Sequence, residues 1–327
     1  MVHAHMEMAL MPPVMRVWPD LSALPPEAKN LVVAIGNFDG VHLGHQAVIS
    51  AAQRQARELN TGLAVLMFAP NPRQFFAPDA PPSELTPLHT RARYLSLLGV
   101  QQLYIQKFDL TFSKLEDMAF IEKVLAQQLG ARHVVVGENF HFGHKRHGDV
   151  NFLIDQSARL GFGVTPVPPV RMTNGQVYSS TRVRECLQQG DVAGARQILG
   201  RPFEIEGTVE RGQGLARDWG FPTANMTLGN YIRPKYGVYA VRAALVGPAA
   251  VPEWFGGVAN LGVRPTFRGG NEVFETHLFD FKDDLYDRRL RVQLWHYLRP
   301  EEKFGKAEAL RAQITKDAAD ARARLGG

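Results

Sequence analysis

Short apolar runs alternate with amphipathic segments over the first half of the chain, from about residue 30 to residue 168. Segments with helical spacing lie at 45–60, 90–99 and 116–130, and the last two end at glycine. Between them are runs that are too short and too rich in β-branched residues for helices, and these are predicted strands: 31–36, 63–68, 102–106, 133–137 and 162–167. Strands and helices in alternation predict an α/β domain with a doubly wound parallel sheet.

The pattern changes between about residues 187 and 200. Beyond this change, strand-like runs are separated by glycine and proline clusters, which predicts an antiparallel sheet folded as a small barrel. The runs are 203–210, 236–246, 255–262, 273–281 and 290–298. Segment 300–325 carries alternating charges and is predicted as a helix that covers the barrel. We therefore expect two domains, 1–187 and 188–327. One large α/β domain or one barrel is the alternative.

Composition narrows the class of protein. Hydrophobic residues make up 45% and charged residues 21% of the chain, which is typical of a packed globular protein. A net charge of +5 and a pI near 9.3 favour anionic partners. The basic residues are dispersed and form no tracts, which favours small phosphate-bearing ligands over nucleic acid.

Cellular location is predicted from the cysteine content and the first residues. Cys186 is the only cysteine, so no internal disulfide forms, and a reducing cytoplasm fits. No basic residue precedes Arg16, and Pro12 and Pro13 interrupt the first apolar segment, which makes a poor secretory signal. No apolar run approaches the length of a membrane span. We expect a cytoplasmic protein without a membrane partner.

The stretch AIGNFDGVHLGHQAVI, residues 34–49, joins the first predicted strand to a helix. His42 and His45 lie one turn apart where free N–H groups and the helix dipole attract phosphate, and Gly40 and Gly44 permit its close approach. The spacing fits neither a Walker A loop, nor G-x-G-x-x-G, nor a zincin. It favours a phosphate cradle in which histidine donates to the α-phosphate of a nucleotide while pyrophosphate departs. The alternative is that both histidines only cap the helix.

A second glycine-rich stretch, RGQGLARDWGFPTANM, occupies residues 211–226. Gly212 and Gly214 belong to a flap whose backbone amides could fold over phosphates. Thr223 and Asn225 follow it and offer a hydroxyl and an amide oxygen, which are ligands suited to Mg²⁺. The stretch therefore predicts a magnesium-nucleotide site without a Walker lysine.

A glutamate further along could act as a base. In EVFETHLFDF, strand alternation places Phe274, Thr276 and Leu278 on one face and Glu275 on the other. Glu275 lies between apolar neighbours, an arrangement that can tune a carboxylate for proton abstraction from an alcohol. Read alone, the residue fits an exposed strand glutamate better than a base, because glutamates are mostly exposed.

The motifs together resemble one family. GNFDGVHLGH, residues 36–45, is similar to the G-x-F-D-G-x-H-x-G-H signature of the bacterial bifunctional riboflavin kinase/FMN adenylyltransferases, also called FAD synthetases. GFPTAN, residues 220–225, resembles the signature of their riboflavin kinase half. Further segments extend the resemblance over nearly the whole chain: 68–78, 85–88, 134–149, 178–203, 260–267 and 277–281.

The resemblance implies a fold and two activities. The C-terminal half would be a six-stranded antiparallel barrel with a C-terminal helix that transfers phosphate from ATP to riboflavin, giving FMN. The N-terminal half would join AMP from ATP to FMN, giving FAD and pyrophosphate. Mg²⁺ is the implied cofactor. The implied partners are riboflavin, FMN and ATP, with no nucleic acid, no membrane and at most a weak homo-oligomer.

The resemblance also assigns residues to roles. Glu275 would be the kinase base, His42 and His45 the catalytic phosphate donors, and Thr223 and Asn225 the metal ligands. The implied flavin-binding residues are Asn139, Phe142, Arg264 and Thr266. The implied nucleotide-binding residues are Gly36, Asn37, Phe38, Asp39, Gly40, Gly44, Ser180, Thr181, Arg182, Gly212, Gly214 and Arg217.

Several of these assignments have a simpler alternative. Read alone, the Ser-Ser-Thr-Arg run at 179–182 is an ordinary helix cap, and Phe140 and Phe142 could pack in the core instead of against a flavin. The chain also departs from the family pattern at Asn71, at the pair 138–139 and at Ala216. The first 14 residues have no interpretation.

Two other functions are compatible with parts of the sequence. One is an adenylyltransferase for a pantetheine or nicotinamide phosphate, which would leave GFPTAN unexplained. The other is an RNA-binding protein with an oligonucleotide-binding barrel, against which the lack of lysine tracts and of paired barrel aromatics counts.

Overall fold

A computed structural model describes residues 15–211, 221–247, 252–264 and 271–326. The chain divides into two compact units, one of residues 1–80 and 88–178, the other of residues 81–87 and 179–327. The domain boundary predicted between 187 and 188 falls inside a helix, Ser180–Gln189, that belongs to the second unit. The boundary between units lies ahead of that helix because its last turn bonds to the second unit, where Lys235 N donates to Leu187 O at 2.9 Å.

The first unit is built on a six-stranded parallel sheet, ordered β1-β4-β3-β2-β5-β6. Its strands are β1 (Arg16–Trp18), β2 (Val32–Ile35), β3 (Leu63–Ala69), β4 (Gln102–Lys107), β5 (His133–Gly137) and β6 (Gly163–Val167). The five predicted strands are confirmed. The sequence pattern does not predict β1, because three residues carry no measurable alternation; the strand forms by pairing with β4.

Both faces of this sheet are buried. Along β2, Val33 and Ile35 belong to one apolar cluster, whereas Val32 and Ala34 belong to another. The doubly wound arrangement predicted from the sequence is thereby confirmed.

The helices of the first unit are α1 (Leu43–Glu58), α2 (Pro72–Phe76), α3 (Leu88–Leu97), α4 (Leu110–Ser113), α5 (Asp117–Ala119), which continues as a π-helix (Phe120–Gln128), and α6 (Val150–Leu160), with 3-10 turns at Pro26–Ala28 and His144–Arg146.

The second unit contains a curled, six-stranded antiparallel sheet, ordered β7-β12-β9-β10-β11-β8. Its strands are β7 (Phe203–Thr208), β8 (Ala224–Met226), β9 (Gly237–Leu245), β10 (Phe255–Arg264), β11 (Asn271–Leu278) and β12 (Arg289–Arg299). A bridge between Glu210 and Asn225 joins the chain after β7 to β8 and brings the two edges of the sheet together. The six-stranded antiparallel architecture is confirmed.

The described residues of the second unit also form the helices α7 (Ser180–Gln189), α8 (Val192–Leu199) and α9 (Ala307–Leu325). Ala318 and Ala321 of α9 pack with apolar residues of β9 and β10, so the predicted covering helix is confirmed. Asp317 holds α9 to the end of β12, because Arg299 donates to its two carboxylate oxygens at 2.8 and 2.7 Å.

Segment 81–87 pairs with the second unit although it lies between helices of the first. Glu84 N donates to Asn230 O at 3.1 Å, and Ile232 N donates to Glu84 O at 2.8 Å. Arg184 of α7 adds a bond from its Nε to Ser83 O at 2.8 Å. The sequence pattern places this segment in the first domain; its backbone pairing places it in the second unit.

Across the ranges described, no helix combines the length and the apolar character that a membrane span requires.

Candidate active sites

The loop between β2 and α1 has an unusual backbone. Phe38, Gly40 and Val41 have φ angles of 50°, 87° and 43°, in the left-handed region that favours glycine. Val41 N donates to Phe38 O at 3.0 Å, which closes a turn. The side chains of Phe38 and Val41 are both 1% exposed, so core packing holds a backbone that its own propensity disfavours.

The two histidines meet at the start of α1. His42 is the N-cap, and its Nδ1 accepts a hydrogen bond from His45 N at 3.3 Å. The imidazole rings stack with centroids 3.6 Å apart, and Phe38 contacts His45 edge-on at 5.3 Å. Because Nδ1 of His42 accepts, the proton of its neutral ring lies on Nε2. Capping and phosphate donation are therefore compatible in one side chain.

Gly44 allows this packing. A Cβ at position 44 would lie 3.1 Å from the His42 ring and 3.2 Å from the carbonyl oxygen of Tyr178. Both distances are tighter than ordinary side-chain contacts. The glycine of the His-x-Gly-His motif is therefore needed for close approach at this point.

Arg91 supports the loop from α3 and was not identified from the sequence. Its Nη1 donates to Asn37 O at 2.9 Å, and its Nη2 contacts Asp39 Oδ1 at 3.3 Å. The side chains of Arg91 and Asp39 are 3% and 6% exposed. The available signal is a charged residue on the apolar face of a helix, three and four residues before the buried Tyr94 and Leu95.

The residues assigned to the leaving phosphates lie in the first turn of α7. Ser180, Thr181 and Arg182 follow Ser179, which is the N-cap and accepts from Arg182 N at 3.3 Å. Arg182 also forms an ion pair with Glu185 at 3.2 Å. This helix is part of the second unit, whereas the histidine pair is part of the first.

The loop after β5 carries the residues assigned to flavin in the first unit. Phe142 is 6% exposed and packs between Phe120, at 5.3 Å, and Phe140, at 5.5 Å and nearly parallel. Asn139 is exposed on the same loop. Within the described ranges, no group of three or more His, Cys, Asp or Glu side chains forms a metal site.

In the second unit, Thr223 and Asn225 are adjacent in space. The Asn225 amide nitrogen lies 3.3 Å from Thr223 O and 3.5 Å from Thr223 Oγ1. Asn225 on β8 is paired in register with Glu275 on β11. Glu275 is half-buried, while Phe274 and Thr276 are buried, which confirms the predicted alternation.

His277 anchors the segment that precedes β8. Its Nδ1 bonds to Pro222 O at 2.9 Å, and its ring meets Phe221 edge-on at 5.2 Å. Burial lowers the pKa of His277 below the ordinary value of 6.5. The ring is therefore neutral near neutral pH and donates through Nδ1.

Some assigned residues lie outside the described ranges: Gly212, Gly214, Ala216, Arg217, Thr266 and the first 14 residues. Arg264 is the last residue of β10.

Comparison with known proteins places each unit in a family. A family model described as FAD synthetase matches residues 24–182, and one described as riboflavin kinase matches residues 199–325. A solved structure from Streptococcus pneumoniae, described as a macrolide-efflux protein, aligns with a TM-score of 0.82 at 28% identity, covering 94% of this chain and 99% of that one.

Three full-length relatives share one name, bifunctional riboflavin kinase/FMN adenylyltransferase. The protein from Pseudomonas fluorescens is 42% identical over 304 residues, which is 93% of this chain and 96% of the relative. The protein from Escherichia coli K12 is 39% identical, covering 94% and 96%. The protein from Bacillus subtilis is 37% identical, covering 90% and 92%.

Proposed function

The chain belongs to the bacterial bifunctional riboflavin kinase/FMN adenylyltransferases, and from that membership we propose which residues carry out each reaction. It phosphorylates riboflavin with ATP to FMN, and it adenylylates FMN with ATP to FAD and pyrophosphate. The riboflavin kinase match over residues 199–325 removes the two rival functions considered from the sequence.

In adenylyl transfer, a phosphate oxygen of FMN attacks the α-phosphorus of ATP and pyrophosphate leaves. Negative charge builds on the α-phosphate and on the leaving group, so fixed N–H donors lower the barrier. We assign His42 and His45 to this role. His42 donates through Nε2, since its Nδ1 accepts the cap hydrogen bond from His45 N. The stacked geometry of the two rings supports the assignment.

The remaining nucleotide contacts of this half are proposed from residue chemistry. Backbone amides of the loop from Gly36 to Gly44 would face the phosphates. Ser180, Thr181 and Arg182 would hold the leaving pyrophosphate, because a helix start offers free amides, two hydroxyls and a guanidinium. Asn139 and Phe142 would line the flavin side, with the buried Phe142 acting as support for Phe140.

In phosphoryl transfer, a hydroxyl of riboflavin attacks the γ-phosphorus of ATP and ADP leaves. Glu275 would accept the hydroxyl proton. The observation that supports this proposal is the register pairing of Glu275 with Asn225, since the proposed base and a proposed metal ligand are then neighbours on adjacent strands. Gly212, Gly214 and Arg217 would contact the nucleotide, and Arg264 and Thr266 the flavin.

Mg²⁺ fits the donor chemistry at positions 223 and 225. A hydroxyl and an amide oxygen are the hard, neutral ligands that Mg²⁺ accepts beside nucleotide phosphates. When bound, the ion would neutralise part of the triphosphate charge. Thr223 and Asn225 would hold it, and their mutual contact at 3.5 Å keeps both side chains on one side of the strand.

We also propose that the protein works in the cytoplasm, because both reactions consume ATP.

A coupled assay tests these roles. The protein is incubated with riboflavin, ATP and MgCl₂, and FMN and FAD are separated by chromatography over time. We expect His45→Ala to make FMN but not FAD, and Thr223→Ala to make FMN slowly yet convert supplied FMN to FAD at the normal rate. Each half-reaction is thus the folding control for the other. Full rates in both variants would refute the assignments.

A further inference from the structure

Arg91 connects α3 to the loop that carries the proposed phosphate-binding residues. Its two terminal nitrogens reach different parts of that loop, the backbone oxygen of Asn37 at 2.9 Å and the carboxylate of Asp39 at 3.3 Å. These two residues flank Phe38, whose φ is 50°. The guanidinium thus holds the loop on both sides of its first left-handed residue.

The loop needs such support because its backbone conformation is unfavourable for the residues that adopt it. Phe38 and Val41 are non-glycine residues in the left-handed region, an unfavourable conformation that persists only where the surrounding structure imposes it. Other contacts contribute, among them the turn bond from Val41 N to Phe38 O and a bond from Gln46 Nε2 to Val41 O at 3.0 Å. Arg91 adds an ion pair with Asp39, and it reaches the loop from α3, a different helix from the one that the loop starts.

The position of Arg91 argues against direct contact with a substrate. Its side chain is 3% exposed, and its planar guanidinium bonds two acceptors in different directions. A lysine, with a single ammonium on a flexible stem, keeps the charge but cannot reproduce this fork. Because the loop ends at His42, displacing Asn37 or Asp39 would displace the helix cap and the histidine pair.

We propose that Arg91 is a positioning residue for FMN adenylylation, which sets the geometry of the phosphate-binding loop through Asn37 and Asp39. This inference rests on the proposed phosphate-binding role of residues 36–45. It deepens that role by naming the group that preorganises the loop before ATP binds.

Steady-state kinetics of both half-reactions test the proposal. Arg91→Met and Arg91→Lys are compared with Arg54→Met, which removes an exposed arginine from α1. We expect Arg91→Met to lower kcat/KM for ATP in FMN adenylylation about 100-fold, the cost of a misplacement near 1 Å. The KM for ATP should rise and kcat should fall, whereas riboflavin phosphorylation and the Arg54→Met variant should be unchanged.

The readout separates positioning from stability. A merely structural role would reduce the amount of folded enzyme and leave the KM for ATP unchanged. Arg91→Lys keeps the charge in place, so it should show a smaller rise in KM and allows the test even if Arg91→Met folds poorly. In a double-mutant cycle with Asp39→Asn, the losses should be clearly less than additive.

The outcomes also separate this inference from the proposed function. Should His45→Ala abolish FAD formation while both Arg91 variants keep the normal KM and kcat, the positioning role of Arg91 is wrong and the loop assignment stands. Should His45→Ala and both Arg91 variants all retain normal adenylylation, the loop assignment itself is wrong.

Discussion

Asn225 on β8 and Glu275 on β11 are directly opposite each other across two antiparallel strands. Side chains in such a pair have Cβ atoms about 4.5–5.5 Å apart, so an amide and a carboxylate from distant parts of the chain lie within reach of one ligand. Glu275 is also opposite Asn260 on β10. Glu275 therefore has an asparagine on each neighbouring strand, Asn225 and Asn260.

Replacing this carboxylate should affect one reaction only. We expect Glu275→Gln, which keeps size and hydrogen bonding but removes the base, to lower kcat for riboflavin phosphorylation about 10²–10⁴-fold. FMN adenylylation should remain normal. Glu272→Gln is the matched control on the same strand, where the glutamate is exposed and ion-paired with Arg233. Equal losses in the two variants would exclude a base at position 275.

Removing a buried hydroxyl next to Glu275 should stabilise the protein. Thr276 is 0% exposed, and its Oγ1 has no hydrogen-bond partner among the described residues. Valine has nearly the same shape without the desolvation cost, so Thr276→Val should raise the free energy of unfolding by about 1 kcal/mol. Urea denaturation measures it, with Thr315→Val on the exposed side of α9 as control. A loss of stability would mean that the hydroxyl is satisfied.

The stability of the protein should fall in mildly acidic solution. Burial lowers the pKa of His277 and of His133 below 6.5, so the unfolded chain binds these protons more readily than the folded chain. Arg322 reinforces the shift at His277 and Asp280 opposes it. The free energy of unfolding should thus decrease as the pH falls through 6.5.

A variant tests the contribution of one of these rings. In His277→Gln the decrease in unfolding free energy between about pH 7.5 and about pH 5.5 should be smaller than in the parent, because one group no longer titrates. Urea titrations at both pH values measure it. An unchanged decrease would show that His277 does not contribute to the pH dependence of stability.

Segment 81–87 should matter for the kinase, although it lies in the first half of the chain. Leu85 is 0% exposed and belongs to the second unit, so Leu85→Ala should cost about 2–5 kcal/mol of stability by leaving a cavity. We expect the riboflavin kinase activity to be lost at a lower temperature. Leu97→Ala, at a leucine that is 66% exposed, is the control. Equal thermal inactivation of the two variants would contradict the prediction.

The sequence alone determined the elements whose signal is local. Five strands of the first unit, the helix that follows the first of them and the alternation around Glu275 all follow from side-chain periodicity within a few residues, and the structure agrees with each. The glycines and histidines of residues 36–45 were recognisable because a helix start with close backbone approach needs those residue types.

Only the tertiary structure determined the features that depend on contacts between distant segments. Strands β1 and β8 are too short to have a pattern and exist through their partners. The attachment of segment 81–87 to the second unit rests on backbone pairing with Asn230 and Ile232. The Arg91 contacts with Asn37 and Asp39 depend on how α3 packs against a loop. Pairing and burial between distant segments leave no local periodicity, so the fold alone could reveal them.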